Sequence, residues 1–145
     1  MATRSARAAW NGSVEEGSGQ VELTSSGAGT FDVSFPRRAA DSAEGVTSPE
    51  ELIAAAHASC FAMQFSALLG KAGGTVHALE ITAEVDFGPD GQGGFHIPGI
   101  RLEVRGEVEG LDAERFGEVA EEAKKTCPVS KALAGTEISL EASLL

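Results

Sequence analysis

Alternation of apolar and polar residues marks three short segments in the first third of the chain. They span residues 6–10, 20–24 and 31–35. A period of two is typical of strands that bury one face. Turn-forming residues at 11–13 and 25–29 separate the segments, which predicts an antiparallel meander. Pro36 is expected to end the third strand, and it leaves Arg37 and Arg38 at the strand's end.

The longest apolar stretch runs from Leu52 to Leu69 and is apolar around almost its whole helical circumference. Ser48 can cap such a helix, Pro49 suits its first position, and Glu51 completes a capping box. Glycines just beyond the apolar stretch predict the C-terminal cap. The pattern therefore predicts one long helix that protein covers on several sides.

The second half of the chain predicts a hairpin with a long loop, two helices and a last strand. Alternating positions identify the strands at 79–87, 100–104 and 138–142. Asp112 can cap a helix whose apolar stripe ends at Cys127, and a short helix follows from Pro128. The order β-β-β-α-β-β-α-α-β indicates an α+β fold, with antiparallel sheets around a long central helix. We expect a single domain over residues 1–145.

An acidic composition narrows the classes of partner. The formal net charge of −11 at pH 7 leaves no basic face for nucleic acid. Polar residues interrupt the apolar helix, so a core helix is favoured over a membrane span. No secretory signal is evident, and we expect a cytoplasmic location. Two cysteines are too few for a disulfide framework of the secreted kind, although a transient catalytic bridge stays open.

The two cysteines are the strongest candidates for chemistry. Cys60 lies in the middle of the predicted long helix, where an inert buried thiol is the commonest case. Cys127 lies at the start of the short helix, beside Lys124 and Lys125, and both surroundings favour a thiolate. Thiols at these two places suggest an attacking and a resolving cysteine, with a pair of unreactive buried thiols as the alternative.

His57 supports a weaker hypothesis. It precedes Cys60 by three residues on the same helix face, so a thiol–imidazole pair is geometrically feasible. A packed or interface histidine is the alternative, because no orienting acid is evident. Metal binding is not expected, because His57, Cys60 and Cys127 lack the ligand spacing of a zinc site.

Two long motifs resemble the osmotically inducible protein C (OsmC) family. The first is TSPEELIAAAHASCF at residues 47–61, and the second is AKKTCPVS at residues 123–130. The likeness extends from the AWNG opening at residues 9–12 to the closing strand, and it is nearer to the OsmC branch than to the organic hydroperoxide resistance proteins. The resemblance implies an OsmC-like fold, an intertwined homodimer with sites at the subunit interface, and thiol peroxidase activity on organic hydroperoxides without a cofactor.

By motif position, the resemblance assigns roles to four residues. Cys60 would be the peroxidatic cysteine that becomes a sulfenic acid, and Cys127 would resolve it as a disulfide. Arg38, with Arg37 as the alternative, would stabilise the Cys60 thiolate and the oxyanion that leaves the O–O bond. Glu50 would hold the guanidinium. A small dithiol, of the lipoyl type or another kind, would reset the enzyme.

The spacing of Glu50 and Cys60 adds a geometric expectation. Ten residues of one straight helix separate them by about 15 Å along its axis, too far for a shared contact. We therefore expect them to meet, if at all, across a dimer in which two copies of the helix pack around a two-fold axis. Phe61, Met63 and Phe65 would line an apolar pocket that favours alkyl hydroperoxides over hydrogen peroxide.

Two other functions stay open on the sequence. One is a non-catalytic dimer that binds a small apolar ligand in the interface cleft, its cysteines merely buried. The position of Cys127 directly before Pro128, at a helix start, speaks against it. The other is thiol–disulfide exchange without peroxide, for which the chain lacks a Cys-x-x-Cys pair.

Overall fold

A computed structural model describes all 145 residues of the chain. In chain order its elements are β1 (Arg7–Asn11), β2 (Ser18–Glu22), β3 (Thr30–Val33), α1 (Phe35–Arg38), α2 (Pro49–Lys71), β4 (Thr75–Val85), β5 (Gly88–Pro89), β6 (Phe95–His96), β7 (Gly99–Glu109), α3 (Ala113–Thr126), α4 (Pro128–Ala132) and β8 (Glu137–Leu144). The predicted α+β class is confirmed. The chain divides into two compact units, residues 1–52 and 53–145, and the single domain stays a prediction.

The first unit contains a three-stranded antiparallel sheet in the order β1-β2-β3. The predicted meander is thus confirmed, but its third strand ends at Val33, earlier than the sequence indicated. Ser34 caps the short helix α1, since its hydroxyl accepts from the backbone N–H of Arg37 at 3.4 Å. Pro36 lies in the first turn of α1, where its missing N–H is not needed.

The long helix α2 is continuous, as predicted. Ser48 caps it by accepting the backbone N–H of Glu51 at 3.1 Å. The side chain of Glu51 bonds to the hydroxyl of Thr47, so the predicted capping box is only half formed. At the other end, Gly73 adopts a φ of 91°, the left-handed conformation of a glycine cap.

Other parts of the same chain cover less of the α2 surface than the sequence predicted. Side chains three or four positions apart form a buried stripe: His57, Phe61, Phe65 and Leu69. Small residues and one methionine form an exposed stripe on the opposite face: Ala56, Ser59, Met63 and Ala67. Met63 keeps 70% of its surface accessible. By length and mean hydropathy, α2 could also cross a bilayer, a property that core helices share.

The main sheet of the second unit has the order β4-β7-β8. β4 and β7 are antiparallel, as predicted for the hairpin, and its long loop carries the two-residue ladder of β5 and β6. β8 runs parallel to β7, with Ile100 beside Ile138 and Leu102 beside Leu140. The prediction of antiparallel sheets is therefore wrong for β8. α3 and α4 separate β7 from β8 in sequence and supply the long crossover that parallel pairing needs.

The core of the second unit is built from side chains of α2, α3 and β7. The rings of Phe65 and Phe116 meet edge to face with their centroids 5.0 Å apart. The predicted apolar stripe of α3 is buried: Phe116, Val119, Ala120 and Ala123. Because Cys127 directly follows α3 and is itself fully buried, the packing of α3 fixes the position of this thiol.

Candidate functional site

In the first unit, Arg38 and Glu50 form a bidentate ion pair. The Nε of Arg38 donates to the two carboxylate oxygens at 3.0 and 3.1 Å, and Nη2 donates to Oε1 at 2.7 Å. The Glu50 side chain is 7% exposed, whereas that of Arg38 is 32% exposed. Two parallel hydrogen bonds to an anchored carboxylate fix the plane of the guanidinium. Arg38 therefore presents a positive charge of defined orientation near the surface.

Arg37, the alternative arginine, has other partners. Its Nη1 lies 3.0 Å from the Glu44 carboxylate and donates to the Ser42 carbonyl at 3.3 Å. Both partners are exposed. Of the two arginines that the sequence left open, Arg38 is the one paired with Glu50.

An apolar cavity of about 370 Å³ lies beside Arg38 in the same unit. Strand, loop and helix side chains line it, among them Trp10, Val14, Val21, Phe35 and Leu52. This volume suits a small organic molecule. The only sequence signal for these walls was the alternation of apolar residues in the first two strands.

The predicted pocket walls on α2 lie elsewhere. Phe61 and Phe65 are fully buried and pack against each other with ring centroids 5.6 Å apart. Met63 points out of the chain on the exposed stripe. The prediction of a pocket lined by these phenylalanines is therefore wrong, because they belong to the core of the second unit.

Cys60 packs against the buried cluster that contains Cys127, and the two thiols are close enough to shift each other's pKa. Both are free cysteines. Cys60 is partly buried in the middle of α2, and Cys127 is fully buried at the junction of α3 and α4. The fold thus brings together the two thiols that the sequence singled out.

The two thiols have opposite pKa shifts. Burial raises the pKa of Cys60; the backbone N–H of Val129 opposes this, and the hydrogen bond and charge of Cys127 reinforce it. Burial also disfavours the Cys127 thiolate, but the Ser130 backbone N–H and hydroxyl, the Cys60 thiol and the Val129 N–H together lower the pKa of Cys127. The lysines at the end of α3, which the sequence suggested as a cause, are not among these groups. These surroundings therefore favour the thiolate more at Cys127 than at Cys60.

His57 is fully buried on α2, and its Nε2 lies 2.6 Å from the hydroxyl of Ser130. Ser130, and not the predicted Cys60, is thus its hydrogen-bond partner. Burial lowers the pKa of His57, so the ring is neutral at neutral pH. Its Nδ1 has no hydrogen-bond partner, a situation that costs about 1–3 kcal/mol. Sequence reasoning missed Ser130, whose only signal was its place in the second cysteine motif.

These groups can support thiol redox chemistry and can stabilise an anion. The thiols supply a nucleophile and a partner for a disulfide. The fixed guanidinium supplies a positive charge that needs no reorganisation. No group of three or more His, Cys, Asp or Glu side chains in the chain is placed to hold a metal ion.

Comparison with known protein sequences relates the chain to one family. The family of OsmC-like proteins matches residues 42–142. The peroxiredoxin OsmC of Escherichia coli (strain K12) is 38% identical over 138 residues, which cover 95% of this chain and 94% of that protein. The organic hydroperoxide resistance protein OhrB of Bacillus subtilis (strain 168) is 33% identical over 123 residues, covering 77% and 79%.

Solved structures share the fold. The crystal structure of OhrB of Bacillus subtilis superposes with a TM-score of 0.73 at 28% identity, covering 96% of this chain and 98% of that one. An OsmC organic hydroperoxide resistance protein from Legionella pneumophila gives a TM-score of 0.75 at 26% identity, covering 99% and 97%. The resemblance carried by the two cysteine motifs is confirmed, and the chain belongs to the family of OsmC-like proteins.

Proposed function

We propose that the protein is a thiol peroxidase that reduces organic hydroperoxides to alcohols. The observation that carries this proposal is the proximity of Cys60 and Cys127, which different elements hold in one buried cluster and which shift each other's pKa. Relatives named as a peroxiredoxin and as an organic hydroperoxide resistance protein support a peroxidase-type role.

The first chemical step takes place at Cys60. Its thiolate attacks an oxygen of the hydroperoxide, so an S–O bond forms and the O–O bond breaks. The leaving alkoxide takes up a proton and departs as an alcohol, and Cys60 is oxidised to a sulfenic acid. Arg38 stabilises first the thiolate and then the developing alkoxide, and Glu50 keeps the guanidinium oriented.

Cys127 completes the cycle. Its sulfur attacks the sulfenic sulfur of Cys60, an S–S bond forms, and the S–O oxygen leaves as water. The proximity of the two thiols in one buried cluster favours this step. A dithiol of the lipoyl type, or another small dithiol, then reduces the disulfide and is itself oxidised to a disulfide. The cytoplasm, where such dithiols stay reduced, is the expected location.

In this proposal a second copy of the chain brings Arg38 and Cys60 together. α2 is continuous, so ten residues of helix hold Glu50 and Cys60 about 15 Å apart along its axis. The exposed stripe around Met63 and the exposed strand β1 offer surface for a partner to cover. In an intertwined homodimer around a two-fold axis, Arg38 of each copy would serve Cys60 of the other.

The apolar cavity beside Arg38 is the place for the organic part of the substrate. Apolar walls favour an alkyl or aryl group and give no advantage to hydrogen peroxide. We expect kcat/KM for cumene hydroperoxide to exceed that for hydrogen peroxide roughly tenfold or more. Equal efficiency on the two peroxides would count against this use of the cavity.

Peroxide-dependent oxidation of a dithiol by the wild type, Cys60→Ser and Cys127→Ser tests the proposed chemistry. Only the wild type should turn over. After one equivalent of cumene hydroperoxide, the intact mass of the wild type should fall by two hydrogens, whereas Cys60→Ser should not change and Cys127→Ser should gain oxygen. Ser139→Ala, an exposed position on β8, is the control and should behave as the wild type.

Binding of a small apolar ligand without chemistry is a second candidate, because the cavity would suit it as well. This function predicts no mass change when the wild type meets peroxide. An unchanged wild-type mass, or full dithiol oxidation by Cys60→Ser, would refute the peroxidase proposal.

A further inference from the structure

The proposed chemistry assigns no role to the hydrogen bond between the buried residues His57 and Ser130, although both residues lie close in sequence to the two cysteines. His57 precedes Cys60 by three residues on α2, and Ser130 follows Cys127 by three residues on α4. Nε2 of His57 and Oγ of Ser130 are 2.6 Å apart, and the two residues are 0% and 4% exposed. A hydrogen bond shielded from water in this way is stronger and better ordered than one at the surface.

Ser130 links His57 to the resolving thiol. Its hydroxyl and its backbone N–H are among the groups that stabilise the Cys127 thiolate. A hydroxyl has one proton to donate and two lone pairs to accept with. When Ser130 donates its proton to the sulfur of Cys127, it can only accept from His57. The neutral ring then carries its proton on Nε2.

The orphaned nitrogen of His57 agrees with this arrangement. With the proton on Nε2, Nδ1 is an acceptor, and it is the atom that finds no partner. A buried polar atom without a partner is costly, and a leucine would fill the same space without that cost. Packing alone therefore does not account for a histidine at this position, whereas a donor to Ser130 does.

We propose that His57, acting through Ser130, is a positioning residue for Cys127 in the resolving step. The series runs from His57 Nε2–H to Ser130 Oγ–H to the sulfur of Cys127, and it holds that sulfur ionised and directed at Cys60. The step itself converts a thiol and a sulfenic acid into a disulfide and water. This role rests on the proposed function, but the link between His57 and Cys127 can be measured without peroxide.

Titration of the Cys127 thiol is the first test. In a Cys60→Ser background Cys127 is the one remaining cysteine, and the chain has no tyrosine, so the ultraviolet absorbance of the thiolate reports on it. The groups that set its ionisation besides position 60 are Val129 and Ser130. We expect Ser130→Ala to raise the pKa of Cys127 most and His57→Leu to raise it less. His57→Gln should restore it, because the amide N–H can replace Nε2–H.

Single-turnover oxidation is the second test. With the native cysteines, His57→Leu should form the sulfenic acid at the wild-type rate but form the disulfide about tenfold more slowly or worse, so that dimedone traps the intermediate. His57→Gln should stay near the wild type. His96→Leu, at an exposed histidine, is the matched control. A residue with a merely structural role would lower the melting temperature without separating the two steps.

Two results would overturn the proposal. The first is a Cys127 pKa that neither Ser130→Ala nor His57→Leu changes, and the second is equal slowing of both oxidation steps. If His57→Leu fails to fold, the pKa of Cys127 in Ser130→Ala is compared with that in the Cys60→Ser background alone. If no variant, including the wild type, forms a sulfenic acid, the proposed function fails, while the titration still decides whether His57 acts on Cys127.

Discussion

The candidate site residues of the two units stabilise negative charge in opposite ways. In the first unit a buried carboxylate, Glu50, accepts three hydrogen bonds from the guanidinium of its ionic partner, Arg38. In the second unit backbone N–H groups and a hydroxyl lower the pKa of Cys127, and none of the groups that shift this pKa is a cation. The first unit therefore has an arginine oriented by a buried carboxylate and no cysteine, whereas the second unit has both cysteines and no cation among the groups that shift the pKa of Cys127.

This difference shows what each unit lacks. A peroxidatic cysteine reacts as the thiolate, yet burial and the neighbouring Cys127 raise the pKa of Cys60 within one chain. A guanidinium brought close to Cys60 would reverse that shift, because an opposite charge favours the ionised form. The first unit carries such a group, Arg38, and under the proposed function it would serve Cys60 of another subunit.

A heterodimer of two inactive variants gives the strongest test of whether the arginine and the thiols act across subunits. Arg38→Ala has an intact thiol pair, and Cys60→Ser has an intact arginine. If sites are shared between subunits, a heterodimer of the two contains one complete site, and it should recover roughly half of the wild-type activity. The measurement is dithiol oxidation by co-expressed, differently tagged subunits purified for both tags.

Each variant purified alone is the control for this mixture, and so is a mixture of Cys60→Ser with Cys127→Ser, in which both lesions fall on the same thiol pair. No activity in the mixed heterodimer, with active wild-type heterodimer prepared in the same way, would mean that Arg38 and Cys60 do not meet across subunits.

The separate contributions of the two arginines come next in size. Arg38→Ala should slow sulfenic acid formation at Cys60 by roughly 10²–10³-fold, the usual loss when a fixed group that stabilises an oxyanion is removed. Arg37 is the neighbouring arginine and pairs with Glu44. Arg37→Ala should therefore form the sulfenic acid at nearly the wild-type rate. Stopped-flow oxidation with cumene hydroperoxide measures both rates. Equal slowing of sulfenic acid formation by the two substitutions would mean that Arg38 has no specific role in that step.

Local patterns predicted much of the fold because the physics behind them is local. The meander, the extent of α2 and the buried stripe of α3 follow from periodicity and capping. The direction of β8 does not, because the same alternation suits a parallel or an antiparallel neighbour. A proline after an alternating segment predicts the end of a strand, but the same residue also suits the first turn of a helix, where Pro36 lies.

Site residues that belong to a sequence motif could be predicted. Site residues that come together only through tertiary packing could not. Cys60, Cys127 and Glu50 stand out in the two cysteine motifs. The pocket walls were assigned to the wrong place because α2 is apolar all round, so its sequence does not say which side Phe61 turns to the core. Ser130 was missed because it meets His57 only after α2 and α4 pack together.

Stability offers a comparison between two neighbouring carboxylates on α2. Glu50→Ala removes the buried anchor of Arg38 and should lower the free energy of unfolding by about 2–3 kcal/mol, less than for a fully buried pair because Arg38 is partly exposed. Glu51 is exposed, so Glu51→Ala should cost less than about 1 kcal/mol. Urea unfolding at one fixed protein concentration measures both. Similar losses would show that the ion pair adds no special stability to the first unit.

The smallest expected effect concerns the pH dependence of stability in the second unit. The pKa of Cys127 is lowered in the folded chain, so its contribution to the free energy of unfolding is fully present above the ordinary thiol pKa and is lost as pH falls through the lowered value. The pKa of Cys60 is raised, so its contribution is present below the ordinary thiol pKa and is lost as pH rises through the raised value. Between the lowered pKa and the ordinary thiol pKa, the free energy of unfolding of the wild type relative to Cys127→Ser should therefore increase by about 1.4 kcal/mol for each unit of pKa lowering. Urea unfolding of reduced protein measures this difference. A difference that stays flat or falls with rising pH would mean that the hydrogen bonds around Cys127 do not hold a thiolate, and the contrast between the two units would lose its basis.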